Sequence, residues 1–178
     1  MANSAFPKVL IVGYGDLGRE VGRRLAQDGM KVVGVRRNVD STVADVNSQH
    51  VTVISADVTQ PLSMEALASI DPEIIVYCVA ACGQSDAEYK AAYVDGLRNV
   101  LATQQHNLRL KHVLFVSSTR VYGQDTDELL DESIPAVPAD FGGERLLEAE
   151  RLLLAFPCGT TVLRLSGIYG QAAYAKSG

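Results

Sequence analysis

Three glycines spaced as GxGxxG, Gly13, Gly15 and Gly18, stand in the segment KVLIVGYGDLGREVGRRLAQDG, residues 8–29. An apolar run, residues 9–12, breaks at Gly13-Tyr14-Gly15-Asp16-Leu17-Gly18. A helical pattern follows at once, with Leu17, Val21 and Leu25 on one side and Arg19, Glu20, Arg23 and Arg24 on the other. Strand, glycine turn and helix in this order open a dinucleotide-binding βαβ unit. In that unit Gly13 permits the tight turn, Gly15 lets a pyrophosphate approach the backbone, and Gly18 lets the helix lie close on the strand. The helix start then offers free N–H groups and a positive dipole end to the phosphates. The same residues would also serve as a plain structural turn. The turn's position between an apolar strand and a helix favours binding.

Further candidates follow the next apolar runs. The second ends Gly34-Val35-Arg36-Arg37-Asn38. An acidic residue there would bind the ribose hydroxyls of NAD. Arg36 and Arg37 instead suit the 2′-phosphate of NADP, with a solvated basic turn as the other reading. Asp57-Val58 follows the third run, where the adenine would lie, although Asp57 would serve equally as a helix cap. Ala80-Ala81 follows the fourth, small enough for a cofactor to pass close to the backbone or simply to pack. Three cysteines with no CxxC spacing point to small hydrophobes rather than a disulfide framework or a metal site. His50, His106 and His112 flank element ends and join no recognisable hydrolase motif.

The elements that must position these residues alternate along the chain. Strands are expected at 8–12, 31–35, 51–55, 73–79, 112–117 and 160–165, nearly continuous in apolar character as for strands buried on both faces. Helices are expected at 17–28, 61–69, 86–106 and 143–156, with a short one near 40–47. Ser85 and Glu88 fit a capping box for the long helix. This pattern implies an α/β fold, a Rossmann-like doubly wound parallel sheet in the order 3-2-1-4-5-6. The loop over 123–142 is long enough to carry function. The 178 residues suit one domain, and 47% hydrophobic content suffices for its core. A net charge of −5 argues against nucleic acid as a partner. No apolar run reaches the ~18 residues of a membrane span, and no signal peptide is evident, so a cytoplasmic protein is expected.

FVSSTRVYG (115–123) and VLRLSGIYG (162–170) resemble motifs of the extended short-chain dehydrogenase/reductase superfamily, the NAD-dependent epimerase/dehydratase type. So do GYGDLG, Asp57-Val58, YVDGLRNVL (93–101) and FGGERLLEAE (141–150). The likeness runs in order across essentially the whole chain and is closest to the atypical branch with a GxGxxG motif. It implies an NAD(P)-binding oxidoreductase, epimerase or dehydratase, with NADP as cofactor and NAD possible. It implies that Ser118 matches the catalytic Ser/Thr that hydrogen-bonds the substrate oxygen. The substrate would be a small molecule, a nucleotide-sugar or a carbonyl compound, and a homodimer would form through helices 86–106 and 143–156. Residues 1–170 then make the dinucleotide-binding domain, and 171–178 begin a C-terminal segment whose substrate lobe is missing.

The resemblance breaks where the family does its proton transfer. The YxxxK positions hold Phe141 and Arg145, and Tyr93 replaces the Asn of the NVxGT motif. In the family the Tyr exchanges the substrate's proton, while the Lys lowers the Tyr pKa and holds the nicotinamide ribose. Phe141 has no proton to give. Arg145 stays protonated but is able to keep a ribose contact. Tyr122, Tyr169, Asp140 and Glu144 are the substitute acids or bases, with packing the better reading of Tyr122. The alternative function is a non-catalytic NADP(H)-binding sensor or interaction module.

Overall fold

A computed structural model of the chain describes residues 6–38, 50–124 and 130–168. Six parallel strands form one sheet: β1 (Lys8–Val12), β2 (Lys31–Arg36), β3 (Val51–Ser55), β4 (Ile74–Tyr77), β5 (His112–Ser118) and β6 (Gly159–Leu165). Their order is β3-β2-β1-β4-β5-β6, the doubly wound order expected from the pattern. The register brings Val12 beside both Val35 and Tyr77, so β1, β2 and β4 end together. The chain reverses direction across the sheet between β1 and β4, and a cleft opens there beyond the strand ends. Strand β1 is buried from Val9 to Val12, and β2, β4 and β5 each carry buried residues, whereas β3 and β6, at the edges, are only partly covered.

Helix α1 (Asp16–Gln27) follows the glycine turn. Its fully buried line is Gly18, Gly22 and Ala26, not the expected Leu17, Val21 and Leu25, which are half-buried beside it. The helix therefore approaches the sheet on small residues. The room this leaves is filled by Tyr14, which is only 3% exposed. A Cβ on Gly22 would lie 2.7 Å from the Tyr14 ring, and one on Gly34 of β2 would collide with it. Tyr14 is thus a wedge between α1 and β2 that requires glycine on both sides.

The remaining helices sit near their expected places. A 3-10 turn (Pro61–Met64) opens α2 (Glu65–Ala68). Helix α3 is continuous over 86–103, running from Asp86–Tyr89 through a π-helical stretch, Lys90–Asp95, into Gly96–Thr103. Ser85 and Glu88 form the expected capping box. The π stretch frees a carbonyl: the hydroxyl of fully buried Tyr77 donates to Ala92 O at 2.5 Å. The helix stops three residues short of expectation, where Gln104 turns inward and donates to Leu67 O at 2.9 Å. Helix α4 (Phe141–Leu154) starts two residues early because Asp140 caps it, accepting the Gly143 N–H at 2.9 Å. The expected helix near 40–47 and the boundary at residue 170 lie outside the described residues. No helix among the described residues is long and apolar enough to cross a membrane.

Replacing Gly34 by Ala should drive the Tyr14 ring from its seat and cost about 1–3 kcal/mol of stability. The loss should shrink in a Gly34→Ala/Tyr14→Leu double variant relative to Tyr14→Leu alone, as read by urea unfolding of all four proteins. Strict additivity would mean that the two positions do not compete for this space.

Candidate active site

The glycine turn is held from several sides. Gly13 has φ +97°, a conformation that favours glycine, and a Cβ there would lie 2.5 Å from the Cys78 carbonyl oxygen. The N–H groups of Gly13 and Tyr14 both donate to Val35 O, at 3.1 and 2.8 Å. The Cys78 thiol donates to Gly13 O at 3.2 Å. A Cβ on Gly18 would collide with Gly13 O, so the helix start lies directly over the turn. Gly15 differs: its backbone is extended, and nothing lies within 4 Å of the position a Cβ would take. No side chain caps α1.

Two cavities meet over the turn, both lined by Gly13, Gly15, Val79 and Ala80. The first, about 260 Å³, extends over the ends of β2 and β3, where Tyr14, Arg36, Arg37, Asp57 and Val58 line it. Asp57 does not cap a helix. Its Oδ1 accepts the Thr59 N–H and hydroxyl, at 2.9 and 2.8 Å, closing a tight turn. The Asn99 amide of α3 braces that turn from below, donating to Val58 O at 2.8 Å. Arg37 reaches across the mouth to Cys82, with Nη1 2.6 Å from Sγ. Cys82 is exposed rather than buried as expected from its type. Cys78 is inside, and burial pushes its thiol up to about 12.

The second cavity, about 460 Å³, extends over the end of β5 and is lined by Asp16, Leu17, Ser118, Tyr89, Tyr93 and Arg120, among others. Ser118 Oγ accepts the Arg120 N–H at 3.2 Å. Neighbouring Ser117 is buried and donates to Glu150 Oε1 at 2.6 Å. Glu150, itself only 2% exposed, is met by Arg164 from β6 at 2.7 Å. Arg164 also donates to the Tyr122 hydroxyl at 2.5 Å. This network ties β5, β6 and α4 together behind the serine. Bonding to Glu150 holds the Arg164 guanidinium well above its ordinary pKa.

Several other expected site residues lie outside both cavity linings. Ala81 does so, and so does Gly18, on the buried face of α1. Arg145 donates to Asp86 at 2.6 Å and to Glu148 at 2.8 Å, so a ribose contact from it would cost these ion pairs. Phe141 packs its ring edge-to-face on Tyr89, with centroids 5.5 Å apart. Tyr122 lies between Arg164 and the Asp131 carbonyl, away from either cavity. Asp140 is occupied by α4 and Arg120, which hold its carboxyl below the usual range. Glu144 is exposed. Tyr169 lies outside the described residues. Tyr89, Arg120 and Asn99 had no signal in local pattern, because Tyr89 and Arg120 meet from 31 residues apart and Asn99 meets Val58 from 41.

The family model described as the NAD dependent epimerase/dehydratase family matches residues 9–176. No curated protein matches the chain. Among solved structures, one described as an NAD-dependent epimerase/dehydratase from Methylobacillus flagellatus is 45% identical, with a TM-score of 0.76. The match covers 94% of this chain and 56% of that one. An epimerase structure from Burkholderia cenocepacia J2315 is 27% identical over 94% of this chain and 57% of its own, with a TM-score of 0.79. The UDP-glucuronic acid 4-epimerase of Bacillus cereus, solved in complex with NAD, has the same fold at 21% identity, covering 92% and 57%, with a TM-score of 0.74. The chain therefore spans a little over half the length of these structures.

Because the space at Gly15 is open, Gly15→Val should fold, at a cost of about 1 kcal/mol or less for a poorer N-cap. Its branched side chain should nevertheless fill the junction of the two cavities. NADH affinity should drop by about a hundredfold, ~2.8 kcal/mol, in a fluorescence titration. A folded variant that binds as tightly as the parent would show that the dinucleotide does not cross this turn.

Proposed function

Because the chain belongs to the NAD dependent epimerase/dehydratase family, we propose that its cleft binds a nicotinamide–adenine dinucleotide and serves oxidoreductase or epimerase chemistry at a hydroxyl- or carbonyl-bearing carbon. The observation that carries this is the pair of cavities joined over Gly13 and Gly15, with two arginines at one end and Ser118 at the other. The adenosine end is formed by Tyr14, Arg36, Arg37, Asp57 and Val58. The pyrophosphate lies over Gly15 and the start of α1 at Asp16 and Leu17, where the helix dipole favours negative charge. The small side chain of Ala80 lets the cofactor pass between the cavities. When bound, the dinucleotide supplies hydride exchange at its nicotinamide ring.

Ser118 takes the substrate oxygen as a hydrogen-bond partner, and the Glu150–Arg164 pair behind it keeps the end of β5 rigid. Phe141 and Arg145 occupy the positions of the family's Tyr and Lys, so the proton must be carried elsewhere. A nucleotide-linked sugar is the favoured substrate class. The support is the Bacillus cereus relative, named for a UDP-sugar. A cytoplasmic location and a homodimer through α3 and α4 belong to the same proposal. The second reading, a dinucleotide-sensing module without turnover, draws on Phe141 in the tyrosine position.

The Arg36–Arg37 pair makes the 2′-phosphate of NADPH worth about 1.5–3 kcal/mol. NADPH should therefore bind roughly tenfold or more tightly than NADH at one salt concentration. Arg37→Ala should remove most of that difference, whereas equal affinities in the parent would count against the arginine assignment. Ser118→Ala should lower kcat/KM by roughly 10²–10³ on a panel of UDP-hexoses while leaving cofactor affinity unchanged. Tight cofactor binding with no turnover of any panel member would favour the sensing module.

A further inference from the structure

The cavity that holds Ser118 also holds a tyrosine with a cation on its oxygen, and neither belongs to the YxxxK positions. Tyr89 is 8% exposed. Its hydroxyl accepts Arg120 Nη1 at 2.7 Å. Its own proton faces Gln84 Oε1 at 3.3 Å, beyond the usual range for an O–H···O bond. The proton is therefore held weakly and is free to turn toward another oxygen. Arg120 is fixed at several points. Asp140 accepts its Nε at 3.0 Å and its Nη2 at 2.8 Å. Its guanidinium stacks on the rings of Tyr89 and Phe141, at 5.1 and 5.5 Å. Its backbone N–H donates to Ser118 Oγ. One residue thus holds both the Ser118 and the Tyr89 hydroxyl. A Cβ at position 142 would lie 2.6 Å from Arg120 Nε, so Gly142 makes room for this arrangement.

We propose that Tyr89, braced by Arg120, is the proton-bearing group that works with Ser118 at the substrate's reacting oxygen, in place of a tyrosine at position 141. The proposal rests on the dinucleotide reading of the cleft. Phe141 then has a positive role: it forms the wall against which Tyr89 and Arg120 are stacked. In the reductive direction the substrate's carbonyl carbon gains a hydride from the reduced nicotinamide, and its oxygen gains the Tyr89 proton. The carbonyl becomes a hydroxyl and the dinucleotide is oxidised by two electrons. The Arg120 guanidinium, protonated at any working pH, holds the charge left on the Tyr89 oxygen until water returns a proton. Oxidation of a hydroxyl runs the same transfers in reverse. Tyr93 also lines the cavity, but burial pushes its phenol above the ordinary value and the Ala81 N–H meets its oxygen.

The test labels the full-length protein with 3-fluorotyrosine and assigns the Tyr89 fluorine resonance by its loss in Tyr89→Phe. NAD⁺ and ADP-ribose, which lacks only the nicotinamide ring, are then titrated in parallel with calorimetry. The Tyr89 resonance should shift with NAD⁺ and respond far less to ADP-ribose. Bound NAD⁺ with a silent Tyr89, or equal responses to the two nucleotides, overturns this proposal alone. Failure of both nucleotides to bind overturns the dinucleotide reading and this proposal with it. On the UDP-hexose that the parent turns over fastest, Tyr89→Phe should keep NAD⁺ affinity and lose roughly 10²–10⁴ in single-turnover rate. Tyr93→Phe should lose much less. A parental rate in Tyr89→Phe overturns the assignment.

Discussion

Helix α1 lies so close to the sheet that a single methylene at position 18 would strike the carbonyl of Gly13. The rest of the cleft depends on that approach. It requires small residues along the buried line of α1, and Gly18, Gly22 and Ala26 supply them. It requires a turn that reverses within a few residues, which the positive φ of Gly13 allows. It leaves a hollow between α1 and β2 that Tyr14 fills. What remains above the turn is open space at Gly15 and a helix start without a side-chain cap, a surface suited to an anion.

The other end of the cleft is stiffened by charge. Glu150 is nearly fully buried, and a buried carboxylate is tolerable only when its partners satisfy it. Ser117 and Arg164 do so, from β5 and β6. Because the two strands run in register from His112–Gly159 to Ser118–Leu165, this contact acts close to the strand ends. Ser118 follows Ser117 directly, so the hydroxyl at the cavity wall is carried on backbone that the buried network holds still. Arg120, two residues further on, connects that wall to α3 through Tyr89 and to the start of α4 through Asp140. Three elements distant in sequence thereby meet at one guanidinium.

Much of this was legible in the residue order, for a local reason. Apolar runs of five to seven residues, a glycine turn and amphipathic stretches are properties of neighbouring residues, and period and punctuation reveal them. The strands, the doubly wound order, the Ser85–Glu88 capping box and the glycine turn all follow from such patterns. Element ends were less legible. Asp140 starts α4 early and Gln104 ends α3 early because each side chain finds a partner whose position depends on folding. The buried face of α1 was misjudged for a similar reason. Periodicity ranks residues by hydrophobicity, whereas here closeness of approach, and hence smallness, selects the face.

The chemistry-bearing side chains divide along the same line. By itself the sequence determined which strand ends would carry Gly13, Arg36, Asp57 and Ser118, because a parallel sheet brings all its strand C-termini to one edge. Only the tertiary structure decided where Arg145 and Tyr89 belong. The nearest carboxylates to Arg145 are on its own helix and on Asp86, 59 residues away, and they hold it outside the cavities. The cation on Tyr89 comes from Arg120, 31 residues away across the gap between α3 and β5. The Arg145–Glu148 pair is local to one helix, but the Arg145–Asp86 and Tyr89–Arg120 pairs form by proximity once the layers have packed, and no spacing along the chain encodes either.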